Sequence, residues 1–199
     1  MIRRIIVAGK PASGKSTVIG LLKAKLEEVN IKVRVIDDYS VLREICPEAK
    51  VGEGYYYERG NLVLESEKRA EIMERQYEEL RNRWQEQFDG VVFLELAHPR
   101  LAEMVGGYFE AKSGDLGILV SVQKEMALKR NCLKPKWRQI PVEFVEAFGD
   151  NDEDQLVSWC RGGWEVLPVD NNGTLGLLKL TVEELFLRRF GGDVFVVET

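Results

Sequence analysis

The residues Gly9-Lys10-Pro11-Ala12-Ser13-Gly14-Lys15-Ser16 constrain this chain more than any other stretch. They satisfy the spacing GxxxxGK[ST] in full. Glycines in such a loop let the chain curl until successive backbone N–H groups converge on one anion. A lysine after the second glycine places an ammonium beside the outer phosphates, and the next hydroxyl can reach a magnesium ion. The flanks agree with this reading. Ile5-Ile6-Val7-Ala8 is an apolar, β-branched run, expected as a strand buried on both faces. Behind the loop, Val18, Leu21, Leu22 and Leu26 recur at helical spacing, so a helix is expected from about Lys15 to Val29. A loop between a buried strand and a helix N-terminus is a ready anion site. The implied ligand is the phosphate chain of ATP or GTP. Its candidate contacts are Gly9, Ala12, Ser13, Gly14, Lys15, Ser16 and Thr17.

The same alternation continues downstream. Lys32 to Ile36 reads as a second strand ending in Asp37-Asp38-Tyr39, and a long helix is expected over about Leu62 to Phe88. Its apolar stripe is Met73, Tyr77, Leu80, Trp84 and Phe88, with Glu79 and Arg83 as an i,i+4 pair on the wet side. Val91 to Leu96 is a buried strand carrying one acid, Glu95, and Pro99 suits the first turn of a following helix. Leu116 to Val122 reads as a strand, Lys124 to Cys132 as a helix, and Val142 to Phe148 as a short helix. Asp150 to Asp154 is an acidic stretch, and Val166 to Val169 is the last core strand. Thr181-Val182-Glu183-Glu184 has the capping-box pattern that opens a helix, with Gly191 at its end. Strands alternating with helices predict an α/β fold in three layers around a mainly parallel five-stranded sheet. Ligands in such sheets sit at the carboxyl ends of the strands. The first loop, Asp37-Asp38, Glu95 and Asn171 all fall there.

Composition narrows the function. With 199 residues, one domain over 1–199 is expected. A formal net charge of −5 argues against a nucleic-acid-neutralising role. Cys46, Cys132 and Cys160 are odd in number and form no CxxC pair, which reads as reduced cysteines of a cytoplasmic protein. No stretch approaches the roughly 18 apolar residues of a membrane span. The apolar run at the N-terminus is too short for a signal peptide. A GTPase would carry an NKxD motif, which is missing, and DxxG occurs only at Asp170-Asn171-Asn172-Gly173, after the last strand. A motor-type ATPase would end a buried strand in Asp-Glu, where this chain has Glu95 alone. His98 is the single histidine, which leaves no support for a His-rich metal site.

The first loop, Val35-Ile36-Asp37-Asp38-Tyr39, Phe93-Leu94-Glu95-Leu96, Ala127-Leu128-Lys129-Arg130-Asn131 and Val169-Asp170-Asn171-Asn172-Gly173 together resemble the nucleoside and nucleotide kinase group of P-loop proteins. That group includes nucleoside monophosphate kinases, sugar-acid kinases and zeta-toxin-like kinases. The resemblance spans most of the chain. It implies the P-loop NTPase fold, ATP and Mg2+, and phosphoryl transfer to a small acceptor, most simply a nucleotide or nucleoside. It also implies an acceptor-covering helical segment over about 40–89 and a lid over about 130–149. The chain departs from the pattern at Ala97-His98-Pro99, where many relatives place an arginine.

Under the resemblance, Lys15 and the lid arginines Arg130 and Arg138 stabilise the transferring group, and Ser16 with Glu95 serves the metal. Asp38, with Asp37 behind it, orients the acceptor, and Asn171 backs onto adenine. Tyr39 would touch the acceptor, and the run Tyr55 to Tyr57 with Arg59 could hold a planar or anionic one. Each has a plainer alternative. The Asp37-Asp38 pair could cap the following helix. Glu95 could be an exposed strand end. Arg130 and Arg138 could be a solvated basic face, Asn171 part of an Asn-Gly turn, and Tyr55 to Tyr57 packing beneath the long helix. A rival reading of the whole chain is a non-catalytic ATP/GTP-binding regulator, or an ATPase without a small-molecule acceptor.

Overall fold

The computed structural model describes residues 3–46, 66–96, 109, 111–134, 139–140, 142, 145 and 152–194. Strand β1 (Arg4–Ala8) lies at the centre of a five-stranded sheet, with β2 (Val33–Asp37) and β3 (Val91–Leu96) to one side and β4 (Asp115–Ser121) and β5 (Glu165–Asp170) to the other. The order is β2-β3-β1-β4-β5, and every pairing is parallel. The helices are α1 (Lys15–Glu28), α2 (Asp38–Ile45), α3 (Ser66–Gln85), α4 (Lys124–Cys132), α5 (Asp152–Arg161) and α6 (Leu175–Val194).

Period-two alternation along β1 divides the core. Ile5 and Val7 face α1 and α6, packing with Val18, Leu22 and Leu26 of the first and Leu178, Val182 and Phe190 of the second. Ile6 and Ala8 face the opposite layer, with Tyr77, Leu80 and Trp84 of α3 and Trp159 of α5. Each fully buried leucine or isoleucine contributes about 1.5–3 kcal/mol. These two layers on a parallel sheet are the three-layer α/β architecture expected from the sequence. Register then places the chemistry. Glu95 of β3 stands level with Val7 of β1 and Asp37 of β2, so the two acids share a row at the carboxyl edge beside the first loop.

Four local expectations are corrected. Helix α3 ends at Gln85, and Phe88 packs on the core from the turn that follows. That turn needs Gly90, whose φ is 155° and where a Cβ would collide with the Lys32 carbonyl. The acidic stretch at 150–154 runs into a helix that composition did not suggest; carboxylates in a first turn complement the helix dipole. The last helix starts at Leu175, before the apparent capping box. Thr174 Oγ1 accepts the Leu177 N–H at 3.3 Å, whereas Thr181 Oγ1 donates back to the Leu177 carbonyl at 3.1 Å. Gly191 does not end α6; it is buried inside the helix, which continues to Val194. The helix expected after Pro99 lies outside the described residues. Of the one expected over 142–148, only residues 142 and 145 are described, and both are helical.

Candidate active site

The loop between β1 and α1 closes on itself through the Ser13 N–H, which donates to the Lys10 carbonyl at 3.1 Å. Ala12 and Gly14 take left-handed conformations, with φ of 62° and 99°. Gly9 approaches β4 so closely that a Cβ would strike the Val120 carbonyl. Lys15 is buried at the start of α1. Its Nζ donates to the Gly9 carbonyl at 3.0 Å and to the Lys10 carbonyl at 3.1 Å. Burial lowers its pKa, against the opposing pull of the Glu95 and Asp38 carboxylates. The ammonium therefore sits within the field of both acids. Ser13 Oγ is also buried here, without a hydrogen-bond partner among the described residues.

Ser16 Oγ donates to Glu95 Oε1 at 2.7 Å. Burial raises the Glu95 carboxyl pKa, and the Ser16 hydrogen bond and Lys15 charge only partly oppose it. The two residues expected to serve a metal are thus brought together. The site fits a hard cation sparingly held by protein: two oxygen ligands, the rest left to phosphate and water. Among the described residues, no group of three or more His, Cys, Asp or Glu side chains forms a separate metal cluster.

The adjacent aspartates take different places. Asp37 is the N-cap of α2, accepting from the Tyr39 and Ser40 backbone N–H groups at 3.4 and 3.1 Å and from Ser40 Oγ at 2.6 Å. The capping alternative thus describes Asp37. Asp38 is a buried carboxylate in the first turn of α2. Gln76 of α3, which sequence reasoning passed over, donates its side-chain amide to the Asp38 carbonyl at 2.8 Å and ties α3 to this corner. A polar residue beside Tyr77 of the buried stripe was the available signal. Tyr39 packs with Leu42, Cys46 and Ile72.

Arg130 of α4 reaches the loop from the opposite side. Its Nη2 donates to the Asn171 carbonyl at 2.7 Å and to Asn171 Oδ1 at 3.3 Å, and its Nη1 to the Ser13 carbonyl at 3.5 Å. Asn171 Nδ2 donates to the same Ser13 carbonyl at 2.6 Å. Thr17 stands exposed in the first turn of α1, its N–H donating to the Gly14 carbonyl at 3.0 Å. Arg59, Arg138, His98 and Tyr55 to Tyr57 lie outside the described residues. A groove along the outer edge of β2 includes Arg34, Glu79, Arg83 and Glu86. Its arginines are already paired, Arg34 with Glu86 at 2.6 Å and Arg83 with Glu79 at 2.8 Å.

Residues 4–84, less than half of the chain, match the family described as Chromatin associated protein KTI12. No curated protein sequence matches the chain. Among solved structures, a gluconokinase from Sinorhizobium meliloti 1021 is similar at a TM-score of 0.58 and 13% identity, covering 98% of both chains. A shikimate kinase from Acinetobacter baumannii in complex with shikimate reaches 0.55 at 11% identity, covering 97% of this chain and 96% of its own. A second shikimate kinase, from Bacteroides thetaiotaomicron, gives 0.54 at 14% identity over 94% of this chain and 97% of its own. No helix among the described residues is long and apolar enough to cross a membrane. With its parallel five-stranded sheet, flanking helices and phosphate-type loop, the chain has the fold of the P-loop small-molecule kinases.

Proposed function

We propose that this chain is an ATP-dependent kinase that transfers a phosphoryl group to a small acceptor bearing a hydroxyl or phosphate, a nucleotide or nucleoside first among them. One observation carries the reading: the buried Lys15 ammonium folds back into the cup formed by the loop, held by the Gly9 and Lys10 carbonyls at 3.0 and 3.1 Å, and feels the Glu95 and Asp38 carboxylates together. That supports a cation, a metal-directed acid and a candidate base acting together at the sheet edge.

The loop amides and Lys15 would bind and orient the β and γ phosphates. Ser16 and Glu95 would hold magnesium, which when bound supplies charge neutralisation at the terminal phosphates. Asp38, buried in the first turn of α2 beside the capping Asp37, would orient the acceptor hydroxyl and take its proton. The segment over about 40–89 would cover the acceptor, with Arg59 in contact with it. The segment over about 130–149 would act as the lid, with Arg138 the arginine for the transferring group. A cytoplasmic location accords with this chemistry. A second reading, a nucleotide-binding regulator without transfer, draws on the match of residues 4–84 to a family described as chromatin associated.

ADP release from magnesium-ATP, measured across nucleosides, nucleotides and phosphorylatable sugars, separates the two. The kinase gives acceptor-dependent ADP, and Asp38→Asn lowers that turnover by about 100-fold or more while leaving ATP affinity nearly unchanged. Tight ATP binding with no turnover on any acceptor refutes the kinase and supports the regulator. Slow turnover indifferent to acceptor identifies an ATPase.

A further inference from the structure

We infer that Asn171 and Arg130 act through the phosphate loop, as a clip that aims the Gly14 amide into the cup, and not as readers of the base or of the transferring group. The inference rests on the reading of the loop as a phosphate site.

The backbone N–H, the carbonyl and both side-chain polar atoms of Asn171 each make a hydrogen bond within the protein. Its backbone N–H donates to the Ser121 carbonyl at 2.9 Å at the end of β4, and its carbonyl accepts from Arg130 at 2.7 Å. Its side-chain Oδ1 accepts from Arg130 at 3.3 Å, and its Nδ2 donates to the Ser13 carbonyl at 2.6 Å. The residue is only 4% exposed. The side-chain amide is thus committed to the protein at both its oxygen and its nitrogen, on a residue with almost no exposed surface to offer a base. Arg130 likewise directs its fork at neutral oxygens of the Ser13 and Asn171 residues.

What these bonds hold is one peptide plane. The Ser13 carbonyl and the Gly14 N–H belong to the same trans peptide and point in opposite directions. Fixing the carbonyl on the β5 side therefore turns the Gly14 N–H away from Asn171 and, on the phosphate-loop reading, toward the anion. The glycine is required twice over. Its φ of 99° suits glycine, and a Cβ there would fall on the Asn171 amide nitrogen. An asparagine after the last strand and an arginine on α4 thus pre-set a donor in the first loop before any anion arrives. Preorganised donors of this kind avoid reorganisation when the charge binds.

The test uses inorganic tripolyphosphate, which has the phosphates of ATP and no base. Titration calorimetry with magnesium present compares tripolyphosphate, ATP and GTP on the wild-type chain, Asn171→Ala and Asn171→Asp, with melting temperatures recorded alongside. Asn171→Asp keeps the shape and an oxygen for Arg130 but presents an acceptor to the Ser13 carbonyl, so it tests the clip even if the alanine variant fails to fold. We expect both variants to lose roughly tenfold in affinity for all three ligands alike. Weaker ATP binding with tripolyphosphate unchanged would make Asn171 a base contact and overturn the clip. Wild-type tripolyphosphate affinity in Asn171→Asp would overturn it as well. A wild-type chain that binds neither ATP nor tripolyphosphate removes the phosphate site itself, a failure visible before any variant is made.

Discussion

Replacing Lys15 by alanine should weaken binding of magnesium-ATP by about 2–4 kcal/mol, or roughly 30- to 1,000-fold. The magnitude follows from an exchange. Without an anion, the ammonium already holds the Gly9 and Lys10 carbonyls at 3.0 and 3.1 Å. Binding trades part of that charge–dipole interaction for charge–charge contact with phosphate oxygens. Two unit charges about 4 Å apart interact by about 4 kcal/mol at an effective dielectric near 20, and the weakened carbonyl bonds return part of it. The exchange also leaves a proton signature. Burial lowers the Lys15 pKa from its ordinary 10.5. The folded protein therefore holds fewer protons at this site than the unfolded chain between the lowered value and 10.5, and this group's contribution to stability rises with pH across that window. A bound phosphate chain favours the charged form and raises the pKa again. As pH climbs through the lowered value, ATP binding should take up a proton. Titration calorimetry in buffers of different ionisation enthalpy measures that uptake directly. Lys15→Ala should abolish the Lys15 share of it along with the affinity. A loss of less than about threefold, or uptake unchanged in the variant, would refute the placement of this ammonium at the phosphates.

Glu95→Gln removes a half-buried charge and keeps an oxygen for Ser16. The Glu95 pKa is raised above its ordinary 4.5, so the native protein holds this proton more tightly than the unfolded chain, and the group's contribution to stability falls as pH rises through that window. The neutral variant should therefore melt higher near neutral pH, by about 2–4 °C for each kcal/mol recovered. Its ATP affinity should respond less to magnesium, and an unaltered magnesium response would take Glu95 out of the metal site. Away from the site, Gly117→Ala would set a Cβ 2.7 Å from the Trp159 ring. Overpacking of this kind costs about 1–3 kcal/mol and should lower the melting temperature by about 2–12 °C; an unchanged melt would show that the Trp159 ring moves aside freely.

The parts of this fold legible in the sequence are those whose cause is local. β1, the loop and α1 could be placed because a β-branched run, fixed glycine spacing and a 3.6-residue period follow one another without interruption. β3 and α4 were read to the residue for the same reason. The final helix was placed too late because Thr-x-x-Glu marks a helix start only where the hydroxyl finds an open N–H. Thr181 instead bonds back to the Leu177 carbonyl, and the core contacts of α6 already begin at Leu178. Trp159 gave no helical period of its own; its position is dictated by the space above Gly117.

The candidate site divides along the same line. Ser16 and Glu95 could be paired in advance because parallel topology alone brings the first loop and the end of β3 to one edge. Asp37 and Asp38 could not be separated, since both capping and catalysis ask for a carboxylate at the end of β2. The backbone distinguishes the two positions, giving Asp37 the α2 amides and burying Asp38. Asn171 meets Ser13 across a sequence separation of 158 residues, and no local pattern encodes that contact. Its polar side chain signals a ligand when read along the chain and a loop support when read in space. Buried polar side chains must be paired wherever they fall. At a nucleotide site, therefore, some residues that look like ligand contacts are those that hold the true contacts in place, and the hydrogen-bond inventory of each one tells the two apart.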